Sequence, residues 1–229
     1  MTAPDPFIAR ADRILDAAGE LLLRHGHRKV TIEDIARRAR IGKGTVYLHW
    51  RTKDEVFLAL LARESVRMVE QISAALRADP GEVQLHRLAR RTFQAVLDQP
   101  LLLAVATRDN EVLGRLADSD INDVGLATSE QFFDLLNEYG LLRTDVPNLP
   151  YAMRAAAGGF YVLEEVDPSI KLDNEARLDA LAHVIRSSFE PARPPRRSVL
   201  VAAAEAIATV FDDMIPPYRE WIYQQKGSS

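Results

Sequence analysis

Between Thr31 and Lys53 the chain sets out hydrogen-bond donors that suit the edges and backbone of double-stranded DNA. Lys43 can donate to guanine O6 or N7 in a major groove, Thr45 offers a hydroxyl and a methyl, and Tyr47 and His49 can donate to phosphates. Lys53, beside the free amides of a capped helix start, adds further phosphate contacts. Gly42 and Gly44 keep the start of the segment that carries Lys43 free of bulk, and a surface without bulk approaches a groove closely.

Two short helices joined by a tight turn would position these groups. Ile32, Ile35, Ala36 and Ala39 recur at i, i+3, i+4 and i+7, an apolar stripe whose opposite face carries Arg37 and Arg38. Thr31 starts this helix, and Asp34 three residues on completes a capping box. Arg40, Ile41 and Gly42 make the turn; Lys43 to His49 then forms a helix too short to stand without packing, anchored by Val46 and Trp50. Residues 1–8, with two prolines, form a loose arm. A helix over about 9–24 carries Ile14, Leu15, Ala18, Leu21 and Leu22 on one face, ends at His25-Gly26 and packs across the other two.

The segments ILDAAGELLLRHG (Ile14 to Gly26), VTIEDIARRARIGKGTVYLHW (Val30 to Trp50) and TKDEVFLALL (Thr52 to Leu61) resemble the DNA-binding domain of the TetR family of transcriptional regulators. The resemblance implies that Thr31, Lys43, Gly44, Thr45, Tyr47, His49 and Lys53 serve DNA contact. Beyond about residue 65 it extends only to the number and length of helices. The expected fold is all-α: a three-helix helix-turn-helix domain over 1–53, then a larger helical effector-binding and dimerisation domain over 54–229 with a helical extension from about 191.

Thr52 and Glu55 form a second capping box, and Val56, Phe57, Leu60, Leu61, Met68, Ile72 and Leu76 carry a long helical stripe, a connector that stops at Ala78-Asp79-Pro80-Gly81. Further helices are expected at about 82–98, 100–116, 121–140, 148–166, 173–189, 197–213 and 216–225, with 226–229 as a frayed tail. Ala155, Ala156, Ala157, Gly158 and Gly159 place small residues in one helix, although glycine there costs about 1 kcal/mol relative to alanine. We expect Ala155, Gly158 and Gly159, with Leu178, Leu181, Ile185 and Phe189 of the next helix, to form a self-association surface, which the resemblance also implies. The resemblance further implies a pocket for a small-molecule effector of unknown identity. Its candidate lining is Phe93, Thr107, Glu111, Phe132, Phe133, Phe160 and Tyr161.

The remaining composition narrows the function. The net charge is -4, but residues 1–53 hold 11 Lys and Arg against 6 Asp and Glu, a balance of +5 that leaves -9 on the rest. A basic module on an acidic body approaches phosphates with one end only, which argues against an architectural protein that coats DNA. The absence of cysteine excludes disulfides and thiolate metal sites and is compatible with a cytoplasmic location. No apolar run reaches the roughly 18 residues of a membrane span. The five histidines are scattered and no HExxH pair, phosphate loop or GxSxG elbow occurs, so we expect no catalytic residues, no metal and no cofactor. The expected partners are a near-palindromic operator, a second copy of the chain and the effector, and the expected function is a repressor that binds the operator as a dimer until the effector releases it, with an activator or an architectural DNA-binding protein without an effector as the alternative.

Overall fold

The computed structural model describes residues 5–118 and 130–223, with the backbone alone at Asp118. The first residues of the expected arm, the start of the helix expected at 121–140, the last residues of that expected at 216–225 and the expected tail lie outside the described residues. Among the described residues every regular element is helical: α1 (Pro6–Lys29), α2 (Ile32–Arg38), α3 (Lys43–Tyr47), α4 (Lys53–Ala78), α5 (Leu85–Leu97), α6 (Pro100–Thr107), α7 (Asn110–Leu113), α8 (Glu130–Glu138), α9 (Leu149–Val166), α10 (Asn174–Phe189) and α11 (Arg197–Ile222). Two compact units emerge. Among the described residues, the first draws on 5–66, 100–118 and 215–223, the second on 67–99 and 130–214.

In the first unit, α1 begins at Asp5, whose carboxylate accepts from the amide of Phe7 at 2.8 Å, with Pro6 at the position where a missing amide is harmless. It runs further than its apolar stripe suggests but kinks at Gly26 (φ 71°), where a side chain would collide with the main-chain carbonyl of Glu111. The capping box at α2 is complete: Asp34 N donates to Thr31 Oγ1 at 3.2 Å and Thr31 N to the Asp34 carboxylate at 3.1 Å. In the turn that follows, the left-handed residue is Arg40 (φ 57°), while Gly42 (φ -72°) is the N-cap of α3. A non-glycine residue in that region costs on the order of 1 kcal/mol, which the packing on either side of the turn must offset.

The core of this unit joins Ile14, Leu15 and Leu22 of α1 to Ile35, Val46, Trp50, Phe57, Leu60 and Leu61, and it also takes in Leu101, Ala104, Leu113, Leu116 and Ile222. The packing unit is therefore larger than residues 1–53. Three short helices leave apolar surface uncovered, and α6, α7 and the end of α11 cover it. The helix expected at 100–116 is broken instead at Arg108 (φ 54°), after which Asp109 caps α7 by accepting from Glu111 N at 2.8 Å and Val112 N at 3.1 Å.

In the second unit, α5 packs chiefly on α10, which also packs on α9. Buried Leu85, Leu88, Phe93 and Val96 meet an α10 face made of Leu178, Leu181, Ile185 and Phe189. Polar groups close the ends: Glu190 accepts from the amide of His86 at 2.7 Å and pairs with its ring, and buried Glu82 is held by Arg87 and by Arg91 at 2.6 Å. Asp212 of α11 accepts from Ser73 and Arg77 of α4, each at 2.7 Å.

Two expectations change here. The helices placed at 197–213 and 216–225 are one, α11, running through Pro216 and Pro217. The prolines remove the amides that would bond the carbonyls of Asp212 and Asp213, and both prolines are exposed. The expected self-association surface also divides. Leu178, Leu181, Ile185 and Phe189 are each at most 5% exposed and belong to the core of one chain, whereas Ala155, Gly158 and Gly159 are exposed on α9. Periodicity marked an apolar face on α10 correctly but could not say which helix covers it.

Candidate nucleic-acid interface

The five residues of α3 are held by their anchors. Val46 is fully buried and Trp50 nearly so, and Trp50 N closes on Val46 O at 3.0 Å. With one face locked, Lys43, Gly44 and Tyr47 are exposed and Thr45 is half-buried. Nothing lies within 4 Å of where a Cβ on Gly44 would stand, so packing does not demand a glycine there. Lys43 makes an ion pair with Glu33 of α2 and lies 5.8 Å from the centre of the Tyr47 ring. The mutual hydrogen bond holds the Glu33 carboxyl below its ordinary range and raises the Lys43 ammonium. Thr31 is exposed at the start of α2, its hydroxyl engaged by the Asp34 carboxylate at 2.6 Å. Beside α2 a groove of about 540 Å³ is lined by His25, Lys29, Arg37, Arg38 and Arg40 among others, so cations flank this side of the unit.

Two of the residues expected to touch phosphate are turned to internal work. Lys53 Nζ donates to the carbonyls of His27 at 2.7 Å and Val30 at 3.0 Å, satisfying the end of α1, and partial burial lowers its pKa. His49 is 2% exposed, packed at a tilt of 36° against Phe7 with ring centres 4.1 Å apart, and neither ring nitrogen has a hydrogen-bond partner among the described residues. Burial, with the positive charge of Arg10 adding to it, holds His49 below the ordinary imidazole pKa. Residue type and the family resemblance place both among the donors; neither shows the path of α1, whose two ends engage them.

The residues named for an effector pocket fall into three groups. Phe93 packs edge-on against Phe160 at 6.2 Å and Tyr161 at 4.7 Å, with the Arg177 guanidinium 5.4 Å from the Phe93 ring. Burial pushes the Tyr161 phenol well above its ordinary pKa. Phe132 and Phe133 form a second cluster in which Phe132 stacks on Phe211 at 6.3 Å. Thr107, whose hydroxyl donates to Leu103 O at 3.0 Å, and exposed Glu111 belong to the first unit, not the second. The seven residues therefore do not line a single cavity within one unit. A groove of about 830 Å³ in the second unit is lined by other residues, including Arg143, His183, Arg186 and Glu190.

Among the described residues no group of three or more His, Cys, Asp or Glu is placed to hold a metal ion, and no helix is long and apolar enough to cross a membrane. Residues 14–60 match the family profile described as bacterial regulatory proteins, tetR family. Over 170 residues the chain is 29% identical to the uncharacterized HTH-type transcriptional regulator Rv1556 of Mycobacterium tuberculosis, which covers 65% of this chain and 83% of that protein. It is 33% identical over 88 residues to the HTH-type transcriptional repressor Rv3405c of the same species, covering 38% of this chain and 47% of that one. Over 84 residues it is 32% identical to the HTH-type transcriptional activator FasR of Mycolicibacterium smegmatis, covering 37% and 38% of the two chains. The fold is shared with the fatty acid degradation regulator FadR from Bacillus halodurans, at a TM-score of 0.61 and 19% identity over 80% of this chain and 96% of that one.

Proposed function

Because this chain belongs to the TetR family of transcriptional regulators, we propose that it binds a near-palindromic operator as a homodimer and represses transcription until a small molecule releases it. The observation that carries the reading is α3: Lys43, Thr45 and Tyr47 face outward on a helix whose Val46 and Trp50 are locked in the core. Lys43 and Thr45 address base edges, Tyr47 and the start of α2 at Thr31 address phosphate, and Gly44 admits close approach. Lys53 and His49 support the unit from within.

One such helix reads too few base pairs for a unique address, so two copies reading half-sites about 34 Å apart, or further, are required. The exposed face of α9 suits a second copy. Tyr151, Ala155, Gly158, Gly159 and Val166 recur along one side of it, Tyr151 and Val166 are 76% and 78% exposed, and neither glycine is required by its own chain's packing. The effector would favour one arrangement of the second unit, and the aromatic cluster of Phe93, Phe160 and Tyr161 favours an apolar or aromatic one. Residues 53–66 of α4 lie in the first unit and 67–78 in the second, so a single helix belongs to both the sensing and the reading parts. Whether occupancy represses or activates depends on where the operator lies relative to the promoter.

The test is binding of the purified protein to duplexes from DNA flanking its coding sequence, under excess random competitor, for wild type, Lys43→Ala and Tyr47→Phe. Saturable binding at one palindrome, weakened by both substitutions, supports the reading. Binding that competitor abolishes equally for all three proteins, followed by a random-sequence selection that enriches nothing, overturns it.

A further inference from the structure

At the edge where α2 meets α3, one acid and one base stand together facing outward. Glu33 is the second residue of α2 and Lys43 the first of α3, and in their ion pair the side chains are 54% and 48% exposed. The neighbouring acid, Asp34, is engaged by Thr31 and Arg37. An exposed pair of this kind adds little to stability, so folding does not account for a carboxylate on the face that meets phosphates. An anion there opposes association unless it finds a hydrogen-bond donor in the complex. The major groove offers such donors only at the exocyclic amino groups of cytosine and adenine, while guanine O6 and N7 and thymine O4 are acceptors. A G·C pair sets acceptors beside a donor, the complement of Lys43 beside Glu33.

We propose that Glu33 is a specificity-determining residue, its carboxylate accepting from the N4 amino group of a cytosine while Lys43 donates to guanine O6 or N7 in the same or the adjacent base pair. This rests on the operator-reading function proposed above. Opposite thymine O4 or guanine O6 the carboxylate faces an acceptor and is desolvated without compensation, so Glu33 acts mainly by rejecting wrong pairs. Glutamine keeps the shape but brings its own donors, and accepts either kind of edge.

The test is selection from a random duplex library by the full chain, comparing wild type with E33Q and E33A, with thermal melting of each protein as a check on folding. Wild type is expected to enrich a palindrome in which one half-site position prefers cytosine over thymine by about tenfold or more. Both variants, melting as wild type does, are expected to enrich the same palindrome with that preference reduced to roughly twofold and the other positions unchanged. Identical base preferences in wild type and variants overturn this proposal alone. A variant that melts normally yet weakens at every position equally overturns it too, since that is the mark of a purely structural role. Wild type enriching no sequence overturns the operator reading, and the role of Glu33 falls with it.

Discussion

The indole Nε1 of Trp50 donates to the main-chain carbonyl of Ile222, 3.2 Å away and 172 residues later in the chain. Trp50 anchors the reading helix, and Ile222 is fully buried in the same core. Beside it Tyr223 Oη donates to Asp12 Oδ1 of α1 at 2.8 Å. Removal of residues 215–229 is therefore expected to weaken the DNA-reading unit by about 3 kcal/mol or more, the combined loss of a buried isoleucine and a buried hydrogen bond. Trp221, the other tryptophan, leaves with the deleted segment, so Trp50 alone reports in the shortened chain. Its emission should move to the red and its unfolding midpoint in urea should fall; emission at the wavelength of a buried indole would refute the expectation.

Arg63 is 4% exposed and meets three acids: Asp12 at 3.1 Å, Asp16 at 2.7 Å and Glu64 at 3.0 Å. Its side chain ties α4 to α1. Asp12 and Asp16 keep access to water, so the loss falls on the packing and hydrogen bonds of the buried guanidinium, and Arg63→Ala should destabilise the chain by about 2–3 kcal/mol in denaturant melts. A loss within 1 kcal/mol would show instead that water replaces the guanidinium readily.

His49 predicts a pH dependence. Its folded pKa lies below the ordinary imidazole value, so the unfolded chain binds the proton more readily than the folded one. The stability linked to neutral His49 is therefore fully present above about pH 6.5 and is lost as pH falls from there through the lower folded pKa. His49→Phe, which keeps a ring against Phe7 and removes the two unpartnered nitrogens, should flatten the fall in Tm between pH 7.5 and 5.5. An unchanged slope would assign the acid sensitivity to other groups.

Gly158 and Gly159 separate folding from assembly. A Cβ at either position meets nothing within 4 Å, and replacing a helical glycine gains up to about 1 kcal/mol in helix propensity. Gly158→Leu and Gly159→Glu should thus melt no lower than wild type as monomers, yet sediment as monomers at concentrations where the proposed wild-type dimer forms. If both variants remain dimeric, the second copy docks elsewhere.

How far the chain could be read from its sequence follows from the range of the interactions involved. The capping box at Thr31 and Asp34, the turn before α3 and the anchors Val46 and Trp50 depend on neighbours within a few residues, and local spacing revealed them. The left-handed residue of that turn escaped, because glycine is the usual choice for it and Arg40 takes it instead. His49 and Lys53 looked like donors to DNA until α1 closed on them, a matter of contacts 42 and 26 residues apart, from Phe7 and to His27 O. The α10 face was legible as apolar, but whether α5 or a second chain would cover it was not written in its period. The sequence likewise held no sign that the last turns of α11 belong with the first fifty residues.

That final arrangement sets an order of events during synthesis. The ribosome delivers the reading helix early, but the core that steadies it is assembled from residues 5–66, 100–118 and 215–223. A nascent chain therefore carries its DNA-reading residues, until residues 215–223 have been made, without the support that segment gives them. A message cut short by a stop codon between residues 100 and 215 therefore yields a product that holds every DNA-contacting residue proposed here without the contacts that Ile222 and Tyr223 make to Trp50 and Asp12, and is expected to compete poorly for the proposed operator.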